Sequence, residues 1–131
     1  MVMNLAQVEL ALGNFERGRQ LIEDARSRAK LSSTSRYSES FDCAKILLES
    51  GYGNWSSVEL ILDQYADGWP ADRPVWKDHV WLLELAVAHA ETASQLECTQ
   101  RLWRLTGQLW EKLGNDEAAA HAYARLKALG A

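Results

Sequence analysis

The sequence predicts an all-α fold: about seven helices, paired as antiparallel hairpins and stacked in a right-handed α–α superhelix. Three observations lead there. The two prolines of the 131-residue chain, Pro70 and Pro74, sit together, so nearly all the rest is free to be helical. The composition favours good helix formers (Ala, Leu, Glu, Arg, Gln), and β-branched residues never cluster. Finally, one pattern is written three times: Gly13-Asn14-Phe15…Gly18…Ile22…Ala25, Gly53-Asn54-Trp55…Val58…Leu62…Tyr65 and Gly114-Asn115-Asp116…Ala119…Tyr123…Leu126. Positions i, i+3, i+7 and i+10 share one face of a helix, so each copy is a helix start followed by a packing stripe.

The elements follow in order. Helix one is expected over about 2–12, with Leu5, Val8 and Leu12 as its stripe. Gly13 suits the left-handed residue after a helix and Asn14 the next N-cap. Helix two runs to about Lys30, with Phe15, Gly18, Ile22, Ala25 and Ala29 on one face. Ser32-Ser33-Thr34-Ser35 reads as a loop that also offers N-caps. Helix three covers about 36–49, with Phe41, Ala44 and Leu48 as core. Asn54 caps helix four, which ends near Ala66. The Asp-Gly-Trp-Pro-Ala-Asp-Arg stretch at 67–73 is the clearest break, and Pro74 fits the first turn of helix five. That helix, to about Ala90, is apolar on most of its circumference and is expected to be sandwiched between neighbours. Ser94…Glu97 reads as a capping box for helix six, which runs to Leu113, and helix seven ends near Leu129-Gly130. The copies lie 40 and then 61 residues apart, which marks helix five as the odd element. The expected organisation is one domain over 1–131, with hairpins at about 2–30, 35–66 and 95–129 and an extra helix at about 74–90.

Composition narrows function. A net charge of −4 and a pI near 5.3 argue against direct nucleic-acid binding. The charge is uneven: six basic residues stand between Arg17 and Arg36, and seven acidic ones between Tyr37 and Asp72. Solvated helix faces explain this most simply; a dipolar surface that orients a charged partner is the sharper alternative. Cys43 and Cys98 are isolated, as expected of reduced, buried thiols in a cytosolic protein. Met1-Val2-Met3-Asn4 has no secretory character, and the most apolar stretch, Val80 to Ala90, is too short to cross a bilayer. A cytoplasmic location without membrane association is the expectation.

The hairpin pattern resembles the tetratricopeptide repeat. The last copy carries the likeness best, through Trp103, Gly107, Trp110, Gly114, Ala119 and Tyr123; Thr106 and Leu126 depart from the family's usual Leu and Ala. The first copy retains Leu5, Ala6, Gly13, Phe15 and Ala25, and the middle one Cys43-Ala44, Leu47, Gly51 and Trp55. Repeats near 40 residues, rather than the family's roughly 34, resemble the degenerate kind in large bacterial regulators such as LuxR-type and maltose-activator-type ATPases. The resemblance implies hairpins that line a groove for a peptide or another protein, in either a slice of a longer protein or a short natural one. Groove candidates are Gln7, Ser40, Trp76, Arg101, Arg104 and Gln108. Trp69, in the break, has two readings: a loop tryptophan folded over the hairpin ends, which is favoured, or an exposed aromatic anchor for a partner. The Lys and Asn pattern that clamps a peptide carboxylate in chaperone-binding members is not reproduced; Met3 and Gln7 stand at two of its positions.

No nucleophile elbow, phosphate loop or metal-binding motif is present, and His79, His89 and His121 have no ligand spacing. Catalytic residues, metal ligands and cofactors are therefore not expected. The leading expectation is a non-catalytic protein–protein interaction module, the regulatory or scaffold part of a larger cytoplasmic bacterial signalling or transcription-regulating protein, with self-association as a second mode. The alternative is a ligand- or peptide-sensing domain of a transcriptional regulator, its tryptophan-rich second half enclosing the signal.

Overall fold

The computed structural model describes residues 2–31 and 38–130. These form seven α-helices and no strand: α1 (Val2–Ala11), α2 (Phe15–Leu31), α3 (Ser38–Tyr52), α4 (Trp55–Asp63), α5 (Lys77–Thr92), α6 (Leu96–Lys112) and α7 (Asp116–Ala128). The serine-rich run at 32–35 and the expected start of helix three at Arg36 lie outside the described residues.

The repeated stripes pack as their spacing requires. Ile22, Val58, Leu62, Ala119 and Leu126 are all buried, while Tyr65 and Tyr123 are half-buried against the core. Each Gly-Asn turn uses the glycine in the left-handed region, with φ of 85° at Gly13, 77° at Gly53 and 80° at Gly114. The next N–H then bonds back across the helix end: Asn14 to the Glu9 carbonyl at 2.8 Å, Asn54 to Glu49 at 2.9 Å and Asn115 to Trp110 at 2.9 Å.

A fourth turn of the same geometry stands at Ser94-Gln95. Ser94 has φ 56°, and the Gln95 N–H bonds to the Ala90 carbonyl at 2.9 Å. The stripe follows too, at Leu96, Thr99, Trp103 and Thr106, of which the last three are buried. The threonines tolerate this because their hydroxyls bond to helix carbonyls, Thr99 to Gln95 at 2.7 Å and Thr106 to Leu102 at 3.0 Å. The expected Ser94…Glu97 capping box is not formed: Gln95 is the N-cap residue, and it makes no side-chain cap bond. Ser94 instead carries the left-handed turn that glycine takes elsewhere. The turns at 13, 53 and 94 are thus 40 and 41 residues apart, and Gly114 falls half a repeat later. Serine is strained at a positive φ, so Ser94→Gly is expected to raise stability by about 0.5–1 kcal/mol. Urea denaturation checks this; a lower midpoint would remove the strain account.

Two further caps differ from expectation. Of the asparagines in the three Gly-Asn turns, Asn115 caps with its side chain, accepting from the Ala118 N–H at 3.0 Å. Asn54 makes no such bond; the amides of Asn14 and Asn54 donate to Glu9 and Glu49 instead. Pro74 lies ahead of α5, whose N-cap is Trp76.

Packing centres on α3. It contacts α1, α2, α4 and α5, and is buried on most of its circumference: Phe41, Cys43, Ala44, Ile46, Leu47 and Leu48 are all buried. Helix α5 packs on α3, α6 and α1, but it leaves Trp81 41% exposed. The first helices of the three 40-residue units, α1, α3 and α5, therefore lie against one another. On α1 the buried side is Ala6, Gln7 and Leu10, and the expected stripe Leu5, Val8 and Leu12 faces solvent. Gly18 explains the choice: a Cβ there would come within 2.6 Å of Leu10, so α2 approaches α1 closely on the Ala6–Leu10 side.

Candidate functional site

The segment between α4 and α5 is held by aromatic stacking. Trp69 lies on Tyr65, with ring centroids 5.4 Å apart, and on His79 at 4.9 Å; Trp76 covers the other part of His79 at 5.1 Å. Arg73 ties the same segment to α3 through Glu39 at 2.6 Å. Trp69 is only 5% exposed, so it takes the folded-over position and not that of an exposed anchor. The indole body gains more from burial against two rings than a loop position suggests.

Beneath it, His79 and Ser40 face each other across the α3–α5 interface. Ser40 Oγ and His79 Nε2 are 2.8 Å apart, and the Trp76 backbone N–H donates to His79 Nδ1 at 3.1 Å. Because Nδ1 accepts, the ring proton sits on Nε2 and is donated to the serine. Nucleophile activation requires the reverse, an unprotonated nitrogen facing the hydroxyl. Burial also lowers the His79 pKa to about 4. The pair is thus arranged as a neutral packing contact at the start of α5.

Burial shifts other titratable groups as well. Tyr65 donates to Asp42 Oδ2 at 2.5 Å. Burial pushes the Asp42 carboxyl up from its usual range, against the opposing effect of the Tyr65 bond. Burial pushes the Cys43 thiol well up, with Asp42 and Glu39 adding to it, and raises Cys98 also. Both cysteines are free and buried, which leaves little reactive thiolate.

The surface that does gather sequence-predicted residues runs between α4 and α6. Arg101, Arg104 and Gln108 border a cleft of about 50 Å³ whose apolar side is Leu62, Tyr65 and Leu105. Arg101 is anchored to Asp63 at 2.7 Å; Arg104 is exposed and has no ion-pair partner among the described residues. Gln108 also borders an open depression of about 400 Å³ shared with Asp67, Gly68, Trp69, Glu111 and Lys112. The indole N–H groups of Trp69 and Trp103 are both buried and make no hydrogen bond.

The seven candidate residues therefore divide. Arg101, Arg104 and Gln108 come together on one surface. Gln7 (6% exposed) and Ser40 (5%) are buried, contrary to a groove-lining role, because α1, α3 and α5 pack on one another and close that side. Trp69 is buried, and Trp76 is half-buried over His79. What residue-by-residue reasoning missed is the outer face of α1. Leu5, Val8 and Leu12 are 45%, 47% and 69% exposed, in helical register. The signal was in the sequence, since α1 is apolar on both sides and one partner helix cannot cover both.

Among the described residues, no group of three His, Cys, Asp or Glu side chains is placed to hold a metal ion, and no helix is long and apolar enough to cross a membrane. No protein-family model, curated protein or solved structure matches the chain.

Proposed function

We propose that this chain is a non-catalytic protein–protein interaction module of tetratricopeptide-like hairpins. It would serve as the regulatory or scaffold part of a larger cytoplasmic bacterial signalling or transcription-regulating protein. The observation that carries the reading is the apolar outer face of α1. Each hairpin of a stacked array buries its hydrophobic face against a neighbouring element. The solvent side of α7 is polar, with Asp116, Glu117, His121, Arg125 and Lys127. The solvent side of α1 carries Leu5, Val8 and Leu12. An apolar stripe of that kind marks a surface covered by another protein element.

Replacing Val8 and Leu12 together by aspartate tests this. Both side chains are already substantially exposed, so folding stability is expected to change by about 0.5 kcal/mol or less. Association is expected to fall sharply, whether read as concentration-dependent self-assembly by sedimentation or as a partner co-purifying with the wild type. A wild type that stays monomeric at every concentration, and retains nothing that the double variant loses, would count against the module.

A further inference from the structure

The α4–α6 surface has a more specific chemistry than the α1 stripe. Its cleft is about 50 Å³, whereas sites that enclose a small molecule are typically 300–1,000 Å³. A liquid water occupies about 30 Å³, so the cleft accommodates the tip of one side chain rather than a whole metabolite. Its rim is cationic and amide-bearing, through Arg101, Arg104 and Gln108, and its floor is apolar, through Leu62 and Leu105. Arg101 is already committed to Asp63, which holds it in place. Arg104 carries a charge that no described acid neutralises, although the chain as a whole is acidic. A planar guanidinium beside an amide matches a carboxylate, and the apolar floor matches the methylenes of an acidic side chain.

The surface continues past that notch. Gln108 links the cleft to the open depression of about 400 Å³ that ends at Lys112. Arg104, Gln108 and Lys112 are successive fourth residues on α6, so the two cations stand about 12 Å apart along the helix. An extended strand places residues four apart at about 13 Å and on the same side. Asp67 and Glu111 share the far rim, which makes the Arg104 end the stronger anchor.

We infer that the α4–α6 surface docks an extended acidic segment of a partner protein. One carboxylate sits between Arg104 and Gln108 beside Arg101, and a second, four residues along, lies toward Lys112. This rests on the interaction-module reading above and names the chemistry of one partner. Binding is non-covalent and is expected to weaken with salt, since Arg104 is exposed.

The test is fluorescence anisotropy on the intact chain, with a fluorescein-labelled nonapeptide carrying two glutamates four positions apart and a leucine midway. Saturable binding is expected, weakened about tenfold or more by glutamine in place of both glutamates, and equally by Arg104→Glu. Gln108→Ala is expected to weaken it severalfold, and thermal melts verify that both variants fold. Equal affinity for the glutamine peptide, indifference to Arg104→Glu, or no binding at all would overturn the site. So would free glutamate competing at the same concentration as the peptide, which would identify a small-carboxylate site instead. Arg104→Glu should leave α1-mediated association intact. No peptide binding by the wild type, with its α1-mediated association present, removes this site alone; absence of both in the wild type removes the module reading as well.

Discussion

Replacing Leu47 by alanine is expected to cost about 3–4 kcal/mol, a large part of the 5–15 kcal/mol that ordinarily holds a domain together. Leu47 is fully buried on α3, the helix that touches four others. Removing three carbons there forfeits transfer energy and leaves a cavity that surrounding helices cannot close without disturbing one another. Leu60, 68% exposed on α4, provides the internal comparison: its replacement by alanine is expected to change stability by about 0.5 kcal/mol or less. Urea unfolding of both variants reads the contrast directly. A Leu47→Ala loss below about 1 kcal/mol would mean that α3 is not the centre of the fold.

The second large effect is a loss of stability on mild acidification, arising at His79. In the folded chain its pKa is lowered to about 4 by burial, against 6.5 for the free side chain. Above pH 6.5 the ring is neutral whether folded or unfolded, and the full stability is present. Between 6.5 and about 4 the unfolded chain takes up a proton that the folded chain refuses, so stability falls as pH falls. Below that window both states are protonated and this source of loss ends. The total is about 2 kcal/mol once solvent screening is allowed for. His79→Gln retains both hydrogen bonds in principle, because its amide can accept from the Trp76 N–H and donate to Ser40, but it does not titrate. Urea midpoints at pH 7 and pH 5.5 should therefore differ less in His79→Gln than in the wild type. Carboxylates dominate at lower pH, so the upper half of the window is the diagnostic one. An identical pH slope in the two proteins would remove His79 as the cause.

Much of the fold was legible because helical periodicity and turn chemistry are local. A glycine at positive φ followed by a residue that starts a new helix is written openly at 13, 53 and 114, and the stripes behind those turns are buried. The turn at Ser94 was hidden because serine stood where glycine was sought, and because Thr99 and Thr106 disguise two stripe positions as polar. The 41-residue step from Gly53, together with the i+3, i+7 and i+10 spacing of Thr99, Trp103 and Thr106, was the signal that could have found it. Helix α1 was misread for a different reason. Leu5, Val8 and Leu12 form as good a stripe as Ala6 and Leu10, and periodicity alone does not choose between two apolar faces.

The candidate site was legible only in part. Arg101, Arg104 and Gln108 come from the same family analogy as Gln7 and Ser40, and their i, i+3, i+7 spacing on one helix is why they share a face. Gln7 and Ser40 were placed in a groove by analogy, and the mutual packing of α1, α3 and α5 closed it over them. Trp69 keeps two readings in the sequence because it sits in a proline-containing break; two aromatic partners from separate elements, Tyr65 and His79, decide for the folded-over one.

The sequence by itself determined the all-α class, the number of helices and the faces behind each Gly-Asn turn, since those depend on residues within one or two turns of each other. Only the tertiary structure decided which side of α1 was buried, which helix became the centre, and that Ser40 and His79 would meet across 39 positions as a sealed, neutral pair. Those outcomes depend on close approach between distant segments, where a single missing Cβ at Gly18 or one indole over an imidazole tips the balance.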